Sequence, residues 1–159
     1  MTTYTEKRTL PYTPEQLFTL VADVERYPEF LPWCKDCKIL RYKKGKDVFF
    51  SDLIVGYKMI KESFGSKVTL EAPNHIYVEY TSGPMKHLSN HWNFLHEEEG
   101  SCTIDFFVDF EFKSNLLQSI MGGFFNDIVH KMVKAFESRA FALYGASGLD
   151  QEIISFSAR

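Results

Sequence analysis

Five histidines and three cysteines are the side chains with the greatest chemical reach in this chain. His87 and His91 stand four apart, a spacing that chelates a metal when both lie on one face of a helix. Their surroundings read as strand, where four residues span ~13 Å, so the two cannot share one ion. His75 and His96 lie near them in sequence, and the pair falls on the face opposite Trp92, the expected outer face. All of them, with His130, are expected to be solvent-facing polar residues, and no metal site is expected. Cys34-Lys-Asp-Cys37 has the C-x-x-C spacing of thiol redox motifs. Such a motif needs its first thiol at a helix N-terminus, where the dipole favours thiolate. Here a proline-rich loop precedes Cys34, the strand-like run CKILRY follows Cys34-Lys-Asp, and no second pair completes a zinc set. The odd number of cysteines argues against a disulfide framework. There is no G-x-S-x-G, phosphate-binding loop or G-x-G-x-x-G. Glu62, Glu79 and Asp105 sit on polar strand faces and form no acid pair, so no catalytic residue is expected.

The informative residues are apolar. RYPEFLPWC, Arg26 to Cys34, packs Tyr27, Phe30, Leu31 and Trp33 around Pro28 and Pro32. The prolines lack a donor and disfavour the helical region for the residue before each, which predicts a shaped loop. Surface loops are normally polar. This one is expected to cover something apolar.

The elements that would position these residues follow from periodicity and caps. Thr13-Pro14-Glu15-Gln16 predicts a helix start with a capping box, ending near Asp23. Thr103 to Phe112 alternates Ile104, Phe106, Val108, Phe110 and Phe112 with polar residues and Phe107, a strand with one apolar face. Ile76, Val78 and Tyr80 alternate likewise, as do Leu88, Trp92 and Phe94 with Asn90 among them. Turn signals at 43–47, 72–74, 82–84 and 97–101 predict an antiparallel meander from about Cys37, with Tyr4 to Leu10 as a first strand. The exposed apolar face needs a cover. Ser114 can cap a helix that runs to Tyr144 and ends at Gly145, roughly 45 Å long. It carries two apolar rows: Leu116, Ile120, Phe124, Ile128, Met132 and Phe136, then Leu117, Met121, Phe125, Val129 and Val133. Gln118, Asn126, Asp127, Lys131 and Lys134 take the other side. Gly122-Gly123 inside it is read as tolerated on a solvated face or packed against the first helix, with a flex point as the functional alternative.

The architecture is thus α+β: a curved antiparallel sheet wrapped around a long C-terminal helix, with an N-terminal helix pair between the first two strands. Residues 1–145 are expected to form a single domain and 146–159 a flexible tail. Aromatic content is 16%, enough to line a cavity as well as fill a core. A net charge of −3 argues against nucleic acid as the main partner, so no DNA binding is expected. The N-terminus has no apolar leader, and a cytoplasmic location is expected. Lys35, Lys38, Arg41, Lys43, Lys44 and Lys46 follow the apolar loop against one acid, Asp36. Aromatics beside a basic run suit transient contact with an anionic membrane; the alternative is a solvated hairpin whose charges protect an edge.

Four segments resemble one family. They are Tyr27-Pro28-x-Phe30-x-Pro32-Trp33-Cys34, Gly83-Pro84-Met85-x-x-Leu88-x-x-x-Trp92-x-Phe94, Asp109-Phe110-x-Phe112-x-Ser114-x-Leu116 and Met132-Val133-x-Ala135-Phe136-x-x-Arg139. Together they resemble the coenzyme Q-binding START-like proteins of the polyketide cyclase/dehydrase superfamily, with Met85 where that family often has Phe. The resemblance implies a helix-grip fold with a deep apolar cavity between sheet and helix. It implies a non-enzymatic carrier or chaperone for ubiquinone or a similar isoprenoid lipid, supporting respiratory electron transport, with ubiquinone as bound ligand and no other cofactor. The expected cytoplasmic location extends to a peripheral position at the inner membrane.

On that footing Phe30, Leu31 and Trp33 are expected at the cavity mouth. Trp92, Phe94, Phe106, Val108 and Phe110 would line the sheet side, and Met121, Phe125, Ile128, Val129 and Met132 the helix side. Two alternatives stand beside this. A polyketide cyclase or aromatase would need an acid–base group in the cavity, where Asn90 is the obvious polar candidate and a poor proton carrier. A toxin-like protein that blocks ribosomal subunit joining would bind with steep salt dependence.

Overall fold

The first helix shows how the chain sets its own boundaries. Thr13 Oγ1 accepts from Gln16 N at 3.1 Å, and Thr13 N donates to Gln16 Oε1 at 2.9 Å, the reciprocal bonds of a capping box. Pro14 occupies the first turn, and α1 runs Pro14–Ala22 with Leu17, Phe18, Leu20 and Val21 buried. The computed structural model describes residues 2–43, 45–57, 60–122 and 124–146, apart from the side chains at 57, 60 and 121.

Around α1 the strands are β1 Thr2–Leu10, β2 Cys34–Lys43, β3 Val48–Tyr57, β4 Ile60–Glu71, β5 His75–Ser82, β6 Met85–His96 and β7 Cys102–Phe112. They form one antiparallel sheet in the order β1-β7-β6-β5-β4-β3-β2. Strands β2 to β7 make the expected meander, and β1 closes beside β7 in a register that opposes Thr2 to Phe110 and Leu10 to Cys102. Sequential β1 and β2 therefore lie at opposite edges. The chain crosses between them through α1 and a 3-10 helix, Val24–Glu29. Bulges fall in β2, in β5 at Thr81 opposite Gly65 and Ser66, and in β6 between Met85 and His87. Each bends its strand and adds curvature. At Gly65 a Cβ would stand 2.4 Å from Ser82 Oγ and 2.7 Å from Thr81 Oγ1, so a side chain there would require these two hydroxyls to turn away.

Two expectations are corrected here. The segment through Tyr27 and Pro28 is helical, closed by Arg26 N to Asp23 O and Leu31 N to Tyr27 O. Pro28 is the fifth of its six residues and donates no bond itself, while Phe30 N and Leu31 N, which follow it, both donate to Tyr27 O. More important, the C-terminal helix is divided. Helix α2 spans Asn115–Gly122 and α3 spans Phe125–Tyr144, with Phe124 as the residue before it. At ~1.5 Å per residue α3 is about 30 Å long, rather than the expected 45 Å. A Cβ at Gly122 would meet nothing within 4 Å, so close packing on α1 is not the reason for that glycine. Gly123 lies outside the described residues.

The division changes which apolar residues are covered. Leu116 is 70% and Ile120 41% exposed, whereas Val129, Val133, Phe136 and Ala140 are buried. Gln118, expected outward, instead accepts from Phe112 N at 3.0 Å and donates to Thr2 Oγ1 at 3.1 Å, tying α2 to the β1–β7 end. Ser114 caps α2 as expected, accepting from Leu117 N at 3.2 Å. At the far end Gly145 stops α3 at φ +82°, its N–H donating to Phe141 O at 2.9 Å. There Tyr12 Oη donates to Gly145 O at 2.8 Å and Tyr144 Oη to Gln16 O at 3.0 Å, which fixes the end of α3 to the start of α1. Of the expected tail from 146 onward, 147–159 lies outside the described residues.

Candidate functional site

The inward faces of the strands meet α3 only in part, and the gap is a cavity of about 280 Å³, partly open to solvent. Its floor comes from inward-facing residues of six strands, β2 to β7, and its roof from α3. Period-two alternation puts Phe106, Val108, Phe110 and Phe112 of β7 on that floor together, and the 3.6-residue helix period turns Phe125, Ile128, Val129, Met132 and Phe136 toward them. Phe110 and Phe125 meet across the interior with ring centroids 4.0 Å apart.

The apolar loop is the end wall. Leu31 is buried and Trp33 half-buried, and both face the cavity with Tyr27. The rings of Tyr27 and Phe30 pack edge-on against Phe136 at 5.4 and 5.2 Å. Tyr27 Oη donates to Val21 O, and burial pushes its phenol far above the ordinary range. Arg139 of α3 clamps the loop from outside: Nη2 donates to Glu29 Oε1 at 2.8 Å, and the guanidinium lies 5.2 Å from the Phe30 ring centroid. The loop's hydrophobic side chains turn inward, which answers why so much apolar surface can sit in a surface connection.

Of the residues expected to line the cavity, Leu31, Trp33, Trp92, Phe106, Val108, Phe110, Phe125, Ile128, Val129 and Met132 do so. Phe30 does not: it sits behind Tyr27, between Phe136 and Arg139. Phe94 does not either. It is fully buried farther along β6, where Phe18 of α1 covers it at 5.9 Å and Trp92 separates it from the cavity. One continuous apolar strand face thus serves two structures, a solid core under α1 and a cavity under α3. The side chain of Met121 lies outside the described residues.

The sequence reading missed the polar members of the floor apart from Asn90. Ser51 and Ser66 share a hydrogen bond at 3.1 Å across the β3–β4 pair, and Tyr80 Oη accepts from Met85 N at 3.2 Å. Asn90 is buried and donates from Nδ2 to Phe107 O at 3.4 Å. Only strand register could have revealed Ser51 and Ser66 as neighbours. Trp33 Nε1 is buried, has no hydrogen-bond partner among the described residues, and is shielded from the cavity as well as from solvent.

Titratable groups lie mostly elsewhere. Cys34, Cys37 and Cys102 are free and buried, and desolvation pushes their thiols up to about 11, 12 and 11. The C-x-x-C pair sits on β2, with no helix dipole to favour thiolate. His75, His87 and His91 occupy the convex face, opposite Ile76 and Trp92. His75 Nδ1 lies 3.1 Å from Glu71 Oε1, His75 Nε2 lies 2.9 Å from His91 Nδ1, and the His91 ring stacks on Tyr77 at 4.4 Å. Burial, then the nearby His75, lowers the pKa of His91. His87 bonds Asp109 at 3.0 Å, and His130 approaches Glu6 at 4.0 Å. No group of three or more His, Cys, Asp or Glu side chains suited to a metal occurs among the described residues.

Residues 10–137 match the family described as polyketide cyclase / dehydrase and lipid transport. The mitochondrial coenzyme Q-binding protein COQ10 homolog B of Xenopus laevis is 36% identical over 146 residues, 89% of this chain and 59% of that protein. The chain therefore spans less than two thirds of that relative. The ribosome association toxin RatA of Rickettsia prowazekii (strain Madrid E) is 34% identical over 144 residues, covering 88% of this chain and 97% of the toxin. A START superfamily protein of Mycobacterium smegmatis superposes with a TM-score of 0.80 over 89% of this chain and 98% of its own; at 20% identity the likeness is one of fold. On sequence and fold together, this chain belongs to the polyketide cyclase / dehydrase and lipid transport family.

Proposed function

We propose that the chain is a non-enzymatic carrier or chaperone for ubiquinone or a similar isoprenoid lipid, serving quinone-dependent electron transport. The observation that supports this best is the cavity itself, whose walls are almost wholly hydrocarbon, aromatic ring and thioether. Such walls give affinity by removing apolar ligand area from water, less the cost of ordering the ligand. Met85 and Met132 adapt to an irregular chain. A volume of about 280 Å³ is at the small end of the ~300–1,000 Å³ typical of ligand pockets. It suits a ring and a short length of chain, so the rest of a long tail leaves through the opening.

The name of the Xenopus relative supports the same ligand. The lining supports a binder over a catalyst: its titratable side chains among the described residues are Cys37, Tyr27 and Tyr80, and burial pushes the first two away from neutrality. Membrane contact is proposed at the β2 edge. There Leu40 and Tyr42, 56% and 51% exposed, alternate with Lys35, Lys38, Arg41 and Lys43.

The test is organic extraction of the purified protein and mass spectrometry of the extract, against an unrelated protein from the same host. A stoichiometric isoprenoid quinone is expected, directly or after incubation with ubiquinone vesicles. An empty extract in both cases overturns the proposal. The Rickettsia relative favours a second reading, action on the ribosome. Sedimentation with ribosomal subunits that weakens steeply with salt would establish it.

A further inference from the structure

The cavity floor carries a polar band that an all-hydrocarbon ligand would leave unused. Ser51 opposes Ser66 across β3 and β4, Ser66 opposes Tyr80 across β4 and β5, and Asn90 on β6 opposes Val78, two residues along β5 from Tyr80. All four line the cavity. The β5 bulge at Thr81 sets the Ser66–Tyr80 register, and Gly65 opposite it admits the close approach of Ser82.

Counting protons shows what the band lacks. The Ser51 and Ser66 hydroxyls carry one proton each and share one bond, so one proton is left over. Tyr80 Oη is used as an acceptor from Met85 N, and its own proton has no acceptor among the described residues. Asn90 has two N–H groups, one of them directed at Phe107 O. Three donor protons of the band are therefore unused, beside the Asn90 Oδ1 acceptor, in a wall where an unmet polar group is costly. A ligand that supplies acceptors there and hydrocarbon elsewhere matches it.

We propose that Ser51, Ser66, Tyr80 and Asn90 form a head-group subsite for the carbonyl or alkoxy oxygens of an oxygenated ring, with the hydrocarbon chain lying over β6, β7 and α3. This rests on the carrier reading and assigns the end of the cavity that the head occupies. Trp33 Nε1 is not a member, because the protein shields it from the cavity.

The test compares two probes, decylubiquinone and squalene, the second an isoprenoid chain without oxygen. Each is titrated onto wild type, Ser66→Ala and Tyr80→Phe, with bound ligand quantified by mass spectrometry after gel filtration and folding checked by thermal melt. Ser66→Ala leaves the Met85 bond intact and keeps the test decisive if Tyr80→Phe folds poorly. Each substitution is expected to weaken decylubiquinone about fivefold and leave squalene unchanged. Equal decylubiquinone affinity in all three proteins, or equal losses for both probes, overturns the subsite while leaving the carrier reading in place. A wild type that retains squalene but not decylubiquinone overturns the subsite and the quinone assignment together. One that retains neither overturns the carrier reading itself.

Discussion

Phe94 and Phe110 are both fully buried and both project from the concave face of the sheet, but only Phe110 borders the cavity. Replacing each by Leu in turn separates packing from binding. Phe110→Leu removes ring contacts with Phe125 at 4.0 Å and Phe112 at 5.8 Å. Phe94→Leu removes contacts with Phe18 at 5.9 Å and Trp92 at 6.4 Å. An aromatic pair is worth roughly 0.5–1.5 kcal/mol beyond its area, and leucine keeps most of the apolar volume. Each substitution is therefore expected to cost about 1–2 kcal/mol, a fall in Tm of about 2–8 °C for a chain of this size. Binding should differ. Phe110→Leu reshapes the cavity wall and should weaken decylubiquinone about three- to tenfold, on the order of one lost aromatic contact. Phe94→Leu should leave affinity within twofold, roughly the scatter of such differences. Calorimetric melting of the free proteins and ligand titration of both variants provide the assay. If Phe94→Leu loses as much affinity as Phe110→Leu, the division of the sheet face into core and cavity is wrong.

Other predictions use independent features. Gly122→Ala adds a methyl group where nothing lies within 4 Å, at the last residue of α2, and should stabilise the protein by about 0.5–1 kcal/mol in a urea melt. A loss of stability would show that the turn after α2 requires glycine. The lowered pKa of His91 means the unfolded chain binds more protons just below the ordinary value of 6.5, so stability should fall as pH drops from about 6.5 toward 5. His91→Phe, which keeps the stack on Tyr77, should flatten that slope, and an unchanged slope would assign the acid sensitivity to other groups. Cys34, Cys37 and Cys102 should resist iodoacetamide at neutral pH in the native protein and react fully once it is denatured; rapid native alkylation would contradict their burial. Since the cavity suits only a ring and a short chain, decylubiquinone and a long-tailed ubiquinone should bind within a few-fold of each other. A steep gain with tail length would show that the cavity enlarges to take the tail in.

Local signals were enough for the elements. The Thr13–Gln16 box, the alternation from Ile104 to Phe112, the turn residues and the Gly145 stop all act within a few residues, and the fold uses each one as the sequence predicts. Four ordered segments were enough for the family, because together they span both sheet and helix. Global placement is different. Nothing local distinguishes Phe94 from Phe110, since both obey the same period; α1 lies over one and α3 over the other. Leu116 and Ile120 continue the apolar rows of α3 by spacing, yet the break after Gly122 leaves them exposed while Gln118 faces the β1–β7 end of the sheet. Phe30 reads as a mouth residue until Tyr27 and Arg139 are seen on either side of it. Ser51 and Ser66 are fifteen residues apart and become partners only through the register of β3 on β4. The sequence by itself determined which faces are apolar, because periodicity is a property of neighbours along the chain. Tertiary structure alone decided where that surface closes into a core and where it stays open as a cavity, because bulge-driven curvature and helix placement depend on contacts between distant segments.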